Sequence, residues 1–487
     1  MKKLIFILLI FIAASLAGCI GEKDKANPNI PPLSSPIIND DNEGNSNNDE
    51  NRLNISPEAM EVLAKIVGIP LEELTWEDLQ NIRFFYIDRE IKDIDNALKA
   101  LENLEELHIY VPIDFSILPE LKSLKNLYIQ DFKSTDLEYL KELEQLEHLT
   151  LSNGSISDFS FLSRLKHLHT LHLYYTGTSD FSQFPVMENL RNLHVHEFYM
   201  PNLDAINNFP NLESLQLAFN LAEDFSPIQN HPKLESLTIA SSSLDSTEFL
   251  KDLQGIKNLT ISHSTILDDF TSIAYLTELK SLHLSGSIFP DKSFLKNLRQ
   301  VEDLDLSYIM IEDLSLIEHL TQLKRLNLDG NRIYDITPLE NFYELEELHV
   351  SISIVPDLTP LRNSTKLKIL DLSDSSVSDL SPLVALQQLE ELNVSYTSVN
   401  DLSPLAELPN LKILDLHGTQ VADLSPLKNA QQLEELTIDN TFIRSIEPLV
   451  GLQNLKTVIL DKTHVPDWEL LKSNPNIEIL DFTEGVN

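Results

Sequence analysis

The sequence predicts an α/β solenoid, a long array of short repeated coils, and three observations predict it. A leucine-centred motif returns at a nearly constant interval over most of the 487 residues. Its LxL core alternates apolar and polar side chains, as a half-buried strand must. The interval, 22 residues, leaves room after that strand and its turns for only a single 3₁₀ or α turn on the return side. Length alone would allow about three domains of roughly 150 residues; the period decides for one array.

Take Leu326 in LTQLKRLNLDGNRIYDITPL as the reference position. Its equivalents are Phe85, Leu107, Leu127, Leu149, Leu171, Leu193, Leu215, Leu237, Leu259, Leu282, Leu304, Leu348, Leu370, Leu392, Leu414, Leu436, Val458 and Leu480. Of the 18 intervals, 16 are 22 residues, one is 20 and one is 23. Each unit reads LxxLxxLxLxx(S/T/N)xφxDφsPL. The slot five residues after the reference holds Ser, Thr or Asn in 12 of the 16 units from Leu127 to Val458. Short polar side chains there are expected to bond turn backbone between neighbouring coils as a ladder; Phe132, Gly154, Phe198 and Ile309 interrupt it. Four residues later stands an acid column, Asp in 13 of the same 16 units, with Asn202, Ser246 and Ser445 as exceptions. In Asp401-Leu402-Ser403-Pro404-Leu405 the spacing predicts that Asp accepts turn N–H groups, Ser caps and Pro opens a short helix.

This pattern resembles the bacterial leucine-rich repeats of the internalin type, over about residues 80–487. The resemblance implies a curved, right-handed solenoid with a parallel β-sheet on its concave face and short 3₁₀ or α turns on the convex one. Two departures matter: the family's Asn slot is mostly Ser or Thr here, and no immunoglobulin-like domain or cell-wall sorting tail follows the array. Internalin-style host-cell entry is therefore not implied. Residues 53–84 read as a helical N-terminal cap covering the first coil, similar to caps before such repeats in other bacterial surface proteins. Ser56-Pro57-Glu58 begins a helix reaching Gly68, and a second covers Thr75–Leu79. A helix-turn-helix DNA reader would need more basic residues. The array then occupies 85–487.

Ahead of the cap, Lys2 and Lys3 precede an apolar run from Leu4 to Leu16, shorter than the about 20 residues a membrane span needs. The run ends in Leu16-Ala17-Gly18-Cys19, which resembles the lipobox of bacterial lipoproteins. That resemblance implies removal of 1–18 and a diacylglyceryl group on Cys19; an ordinary secretory signal is the alternative. Two or more acyl chains would anchor the protein stably. Residues 19–52 follow as a lipid-anchored tether rich in Asn, Pro, Ser and acids, with a reach of roughly 30 Å if disordered. Cys19 is the sole cysteine, which excludes an intramolecular disulfide and any zinc site with two Cys ligands.

The net charge of -40 argues against nucleic acid and against polybasic docking on lipid. Yet 42% of residues are hydrophobic, enough for a large core. The positions expected on the concave face differ along the chain. The first half carries His108, Tyr110, Tyr128, His148, His172, Tyr174, Tyr175, His194, His196, Phe198, His263 and His283. The second half carries Asp303, Asp305, Asp329, Asp371, Asp374, Asp415, Asp439, Asp461 and Asp481. Exposed rings are good interface anchors, and an acidic track favours a basic partner.

His172, His194 and His196 share neighbouring strand positions and form a candidate zinc or copper cluster, against the commoner reading of solvated polar side chains. His196-Glu197-Phe198-Tyr199-Met200 fails the HExxH pattern at Met200. No GxSxG elbow, phosphate loop or dinucleotide fingerprint occurs. The expectation is a membrane-anchored, extracytoplasmic, monomeric leucine-rich-repeat protein without a cofactor or catalytic residues. It would bind a protein partner, a basic one being favoured by the acidic track, through a concave face about 90 Å along its arc if nineteen strands stack at about 4.8 Å. The competing expectation is an envelope spacer without a dedicated ligand.

Overall fold

A computed structural model of the chain describes residues 55–481, apart from 178–182, 197–202, 220–221, 223 and 463. The signal, Cys19, the tether and Phe198 lie outside the described residues. Among the described residues, no helix is long and apolar enough to cross a membrane.

Among the described residues, nineteen strands form one parallel sheet, each paired with the strand one coil away. The repeat interval sets the register: Leu282 faces Leu304, Leu304 faces Leu326, and Leu326 faces Leu348. The 20- and 23-residue units stay in register too, with Leu107 opposite Leu127 and Leu259 opposite Leu282. The extra residue of the longer unit follows the acid Asp268, and Phe270 absorbs it in a left-handed conformation at φ 52°. The last coil departs from expectation. Val458 pairs with Ile479, not with Leu480, and Leu480 is 42% exposed. A one-residue slip exchanges the two faces of a strand. Here the slip turns Ile477 and Ile479 toward the core.

Between sheet and return side lies one continuous core of the repeat leucines, with Phe159, Phe209, Phe270, Phe294 and Phe342 fully buried along it. The return segments are 3₁₀ turns such as Ser381–Ala385, Ser403–Glu407 and Ser425–Asn429. Their caps correct the expected roles. Asp401 Oδ1 accepts the Ser403 N–H at 2.8 Å and the Ser403 hydroxyl at 2.6 Å; Asp thus takes the turn N–H as expected, but Leu402 holds the cap position, Ser is the first helical residue and Pro404 the second. Asp158, Asp224, Asp291, Asp313, Asp335, Asp357, Asp379 and Asp423 bond the same way. Where Ser246 and Ser445 replace the acid, the next coil reaches back. Asp268 accepts from Thr247, and Asp467 accepts from Ser445 and the Ile446 N–H.

The polar slot behaves as an inter-coil ladder only in part. Asn331, 1% exposed, donates to Leu306 O at 2.8 Å and Leu328 O at 2.9 Å, and accepts the Ile311 N–H at 3.0 Å. Ser264 and Ser287 also reach the preceding coil. The shorter Ser353, Thr397, Thr419 and Thr441 hydroxyls instead donate to a carbonyl three residues back in their own coil.

The N-terminal end is helical. Helix α1, Pro57–Val67, is capped by Ser56, whose Oγ accepts the Ala59 N–H, and closes on Gly68 at φ 80°. Helix α2, Trp76–Gln80, opens with a Thr75/Asp78 capping box. A third helix that the sequence pattern does not reveal, α3 at Ile94–Ala100, forms the return side of the first coil.

Two further columns escape the sequence pattern. Four residues after the reference, the backbone is left-handed in coil after coil, at Asp131, Asn153, Tyr175, Phe219, Ser241, His263, Tyr308, Ile352, Asp374, Tyr396 and Asn440 as well as at three glycines. For non-glycine residues this conformation costs roughly 1–2 kcal/mol. A ladder bond holds it: Tyr175 N–H reaches His196 O, Tyr308 N–H reaches Asp329 O, and Ile352 N–H reaches Ser373 O. Bulky residues take alternate coils (Tyr175, Phe219, His263, Tyr308, Ile352, Tyr396), and the Tyr308 ring lies over Gly330, where a Cβ would come within 2.2 Å of it. Two residues before the reference, charges of opposite sign alternate as Lys280, Glu302, Lys324, Glu346, Lys368, Glu390, Lys412, Glu434 and Lys456. Lys324 pairs with Glu302 at 2.8 Å and Lys368 with Glu346 at 2.7 Å. Such exposed pairs contribute little individually, but the alternation keeps like charges from stacking on adjacent strands.

Two measurements check this account. In urea unfolding, Asn331→Ala is expected to cost about 2–3 kcal/mol and Thr419→Val about 1 kcal/mol, because only the first strands groups in two coils. His231, 1% exposed, takes a core leucine position, and burial pushes its imidazole pKa below 6.5 with the Phe209 carbonyl offsetting only part. Its neutral form is favoured in the folded state, so stability is full above pH 6.5 and falls as the pH drops through that value. His231→Leu should therefore raise the melting temperature more at pH 5 than at pH 8.

Candidate binding surface

The character of the concave face follows strand length. From Asn126–Gln130 to Asn258–Ser262 the central strands are five residues long; from Ser281–His283 to Glu435–Thr437 they are three. In the longer strands the N–H three residues after the reference stays within the ladder. In five of the eight shorter ones an Asp or Asn one residue after the reference takes it. Asp305 accepts from Ser307 N–H at 2.8 Å, Asp371 from Ser373 at 2.9 Å and Asp415 from His417 at 2.8 Å. Asn327 and Asn393 do the same for Asp329 and Ser395. The carbonyl lost to the ladder is the one that Thr397 and Thr419 take up.

Five of the acidic residues expected to meet a partner, Asp303, Asp305, Asp329, Asp371 and Asp415, thus have an intramolecular role. Asp305, Asp371 and Asp415 hold the strand end. Asp329 accepts the Ser351 N–H of the next coil at 2.7 Å. Asp303 pairs with Arg325 at 2.8 Å and with His283 at 3.3 Å. Burial opposes protonation of His283, but the hydrogen bond and charge of Asp303 outweigh it and raise its pKa. Among these acids the negative field persists, while the contact surface is narrower than the sequence implies.

The rings gather in two clusters. In the first, Phe84 and His108 lie 5.2 Å apart edge to face, His108 and Tyr128 5.6 Å apart, and Tyr110 and Tyr128 5.0 Å apart. Phe84 was absent from the sequence expectation although it precedes the first reference residue, and it is 42% exposed. In the second, His172 and His194 stack with centroids 4.2 Å apart and planes at 7°, and Tyr174 meets His196 at 4.9 Å. Thr150 separates the clusters, its Oγ1 3.4 Å from His172 Nδ1. Tyr175 stands exposed beside the second cluster in the left-handed column.

Packing sets the protonation of the second cluster. Burial, with His172 and His196 adding to it, pushes His194 down to about 3, and burial lowers His196 too. Two neutral imidazoles can stack in parallel, whereas two imidazolium rings would repel. The metal reading of this cluster is not supported: the His172 and His194 rings face each other instead of converging on one point. Among the described residues, no group of three His, Cys, Asp or Glu is placed to hold a metal.

A family model of leucine-rich repeats in two copies matches residues 387–429. No curated protein matches the chain. A leucine-rich-repeat protein of Leptospira interrogans is 18% identical over 81% of this chain and 99% of its own, with a TM-score of 0.54. A plant peptide hormone receptor, RGFR1 in complex with RGF2, is 19% identical over 78% of this chain and 67% of its own, with a TM-score of 0.50. An internalin of Listeria monocytogenes is 22% identical over 78% of this chain and 94% of its own, with a TM-score of 0.41. The repeats and the first two superpositions establish a leucine-rich-repeat solenoid.

Two outcomes test the surface. Asp371→Asn retains an oxygen for the Ser373 N–H and should change stability by less than about 0.5 kcal/mol, whereas Asp371→Ala should cost about 1 kcal/mol. In an NMR titration the His194 ring should stay neutral down to about pH 4, and replacing His172 with Ala should raise its pKa.

Proposed function

We propose that this protein is anchored to a bacterial membrane through lipidated Cys19, faces away from the cytoplasm, and binds a protein partner through the concave side of its array. The observation that carries the reading is the pair of ring clusters on one pre-formed sheet face, since a rigid surface loses little entropy on binding. Tyr110, Tyr128, Tyr174 and Tyr175 present aromatic area at low entropy cost. The plant receptor of the same architecture is a peptide hormone receptor in complex with RGF2, which supports a peptide or protein ligand here. The charge of -40 favours a basic partner over nucleic acid. The anchor rests on Leu16-Ala17-Gly18-Cys19. An envelope spacer is the second reading, favoured by the internal roles of the concave acids.

The test is capture from envelope or host extract, followed by mass spectrometry. Replacing Tyr128, Tyr174 and Tyr175 with Ser should cut recovery of a specific partner about tenfold or more, with the circular dichroism spectrum unchanged. If the wild-type protein recovers nothing above background, the spacer reading stands instead. Cys19→Ser should move the protein from the membrane to the soluble fraction.

A further inference from the structure

Toward the C-terminal end of the concave face, Tyr396, His417 and Asp439 form a hydrogen-bonded chain across three coils. Tyr396 Oη lies 2.6 Å from His417 Nε2, and His417 Nδ1 lies 2.7 Å from Asp439 Oδ2. A neutral imidazole satisfies both contacts, donating from Nδ1 to the carboxylate and accepting the tyrosine hydroxyl at Nε2. The chain pins a carboxylate that is almost wholly buried: Asp439 is 1% exposed. Its second oxygen, Oδ1, is buried without a hydrogen-bond partner among the described residues. Leaving a buried acceptor unmet is costly, more so when it is charged, and such an exception asks for a reason.

The reason lies in the cavity beside it. A space of about 380 Å³ is lined by Tyr396, His417, Asp439, Asp461, Ile443 and Val465 among others, and no Lys or Arg is among the described residues of its lining. Asp461 brings a second carboxylate, which His464 already engages. Asp439 Oδ1 is the oxygen left to a visitor. The Tyr396 ring, 55% exposed, offers a face to a cation. Ile443 and Val465 are buried side chains suited to a methylene stem. The donor set does not suit a metal ion, since no group of three ligating side chains among the described residues is placed for one.

We infer that this cavity receives a basic side chain, the ammonium of a lysine or the guanidinium of an arginine, with Asp439 Oδ1 as its acceptor. The inference deepens the reading of the concave face as a binding surface by supplying an anchor pocket distant in sequence from the ring clusters. It also gives the acidic half of that face a role beyond holding strand ends: Asp305, Asp371 and Asp415 each accept a strand-end N–H, whereas Asp439 accepts from His417 and leaves a buried oxygen without a partner among the described residues.

The test titrates the purified protein with the N-acetyl methylamides of lysine, arginine and norleucine, read by amide shifts of Gly418 and Asn440. The lysine or the arginine amide should shift these signals saturably, and the neutral norleucine amide should not; which basic amide binds more tightly identifies the side chain. Asp439→Asn retains an oxygen for the His417 N–H and should weaken binding of the basic amides about tenfold to a hundredfold. The inference is overturned if the norleucine amide binds as tightly as the basic ones, or if none of the three binds. Equal binding by folded wild-type and Asp439→Asn proteins would overturn it too. The comparison of the three amides on the wild-type protein holds even if the variant fails to fold. The variant carrying Ser at positions 128, 174 and 175 should keep full amide binding, so loss of partner capture and loss of this pocket are separate results.

Discussion

Every other feature of this molecule depends on one contact, the stacking of each coil's reference leucine on the next. Leu282, Leu304, Leu326 and Leu348 are at most 1% exposed, and each faces its equivalent across the parallel ladder. A coil of about 22 residues cannot bury its own apolar side chains, so stability is a sum over neighbouring pairs. The interval between leucines must therefore hold. Where the chain adds a residue, at Asp269, the excess is taken up at Phe270 on the return side and not in the sheet.

From that contact the character of the concave face follows. When strands shorten to three residues, an N–H and a carbonyl leave the ladder in each coil, and both must be met. In five of these coils an Asp or Asn beside the reference meets the first, and Ser353, Thr397, Thr419 and Thr441 in the slot meet the second in theirs. The acidic half of the face is thus first a solution to a backbone problem. In the half with longer strands the backbone needs no such help, and the same positions are free to carry His108, Tyr128, His172 and His194. The binding surface proposed above lies where the ladder is self-sufficient, and the proposed pocket lies at Asp439, which leaves a buried oxygen without a partner among the described residues.

The strands, their register and the position of the return turns were legible because leucine spacing encodes them directly. The acid column was legible as capping, although the share of work between Asp401 and Ser403 was not, since both residue types serve as caps. The left-handed column could not be read, because Tyr308, Ile352 and Tyr396 carry no preference for that conformation; only ladder bonds impose it. The slip at Leu480 was hidden for the opposite reason: the leucine spacing points the other way, and the packing of Ile477 and Ile479 overrides it. The alternation of bulky residues with Gly330 and Gly418, and of Lys with Glu, makes two coils the effective unit, a period hidden inside the stronger one. Of the candidate site, the rings were visible by position, whereas their division into two clusters and the Tyr396–His417–Asp439 chain needed the coils side by side.

The central claim is that the concave sheet is the working face, and hydrogen exchange with mass spectrometry tests it most directly. With the captured partner added to the protein, slowed exchange should concentrate in the strand segments 106–130, 148–152, 170–174 and 192–196, leaving the return turns at 381–385, 403–407 and 425–429 unchanged. Protection confined to the return turns, with the strand segments unaltered, would contradict the account.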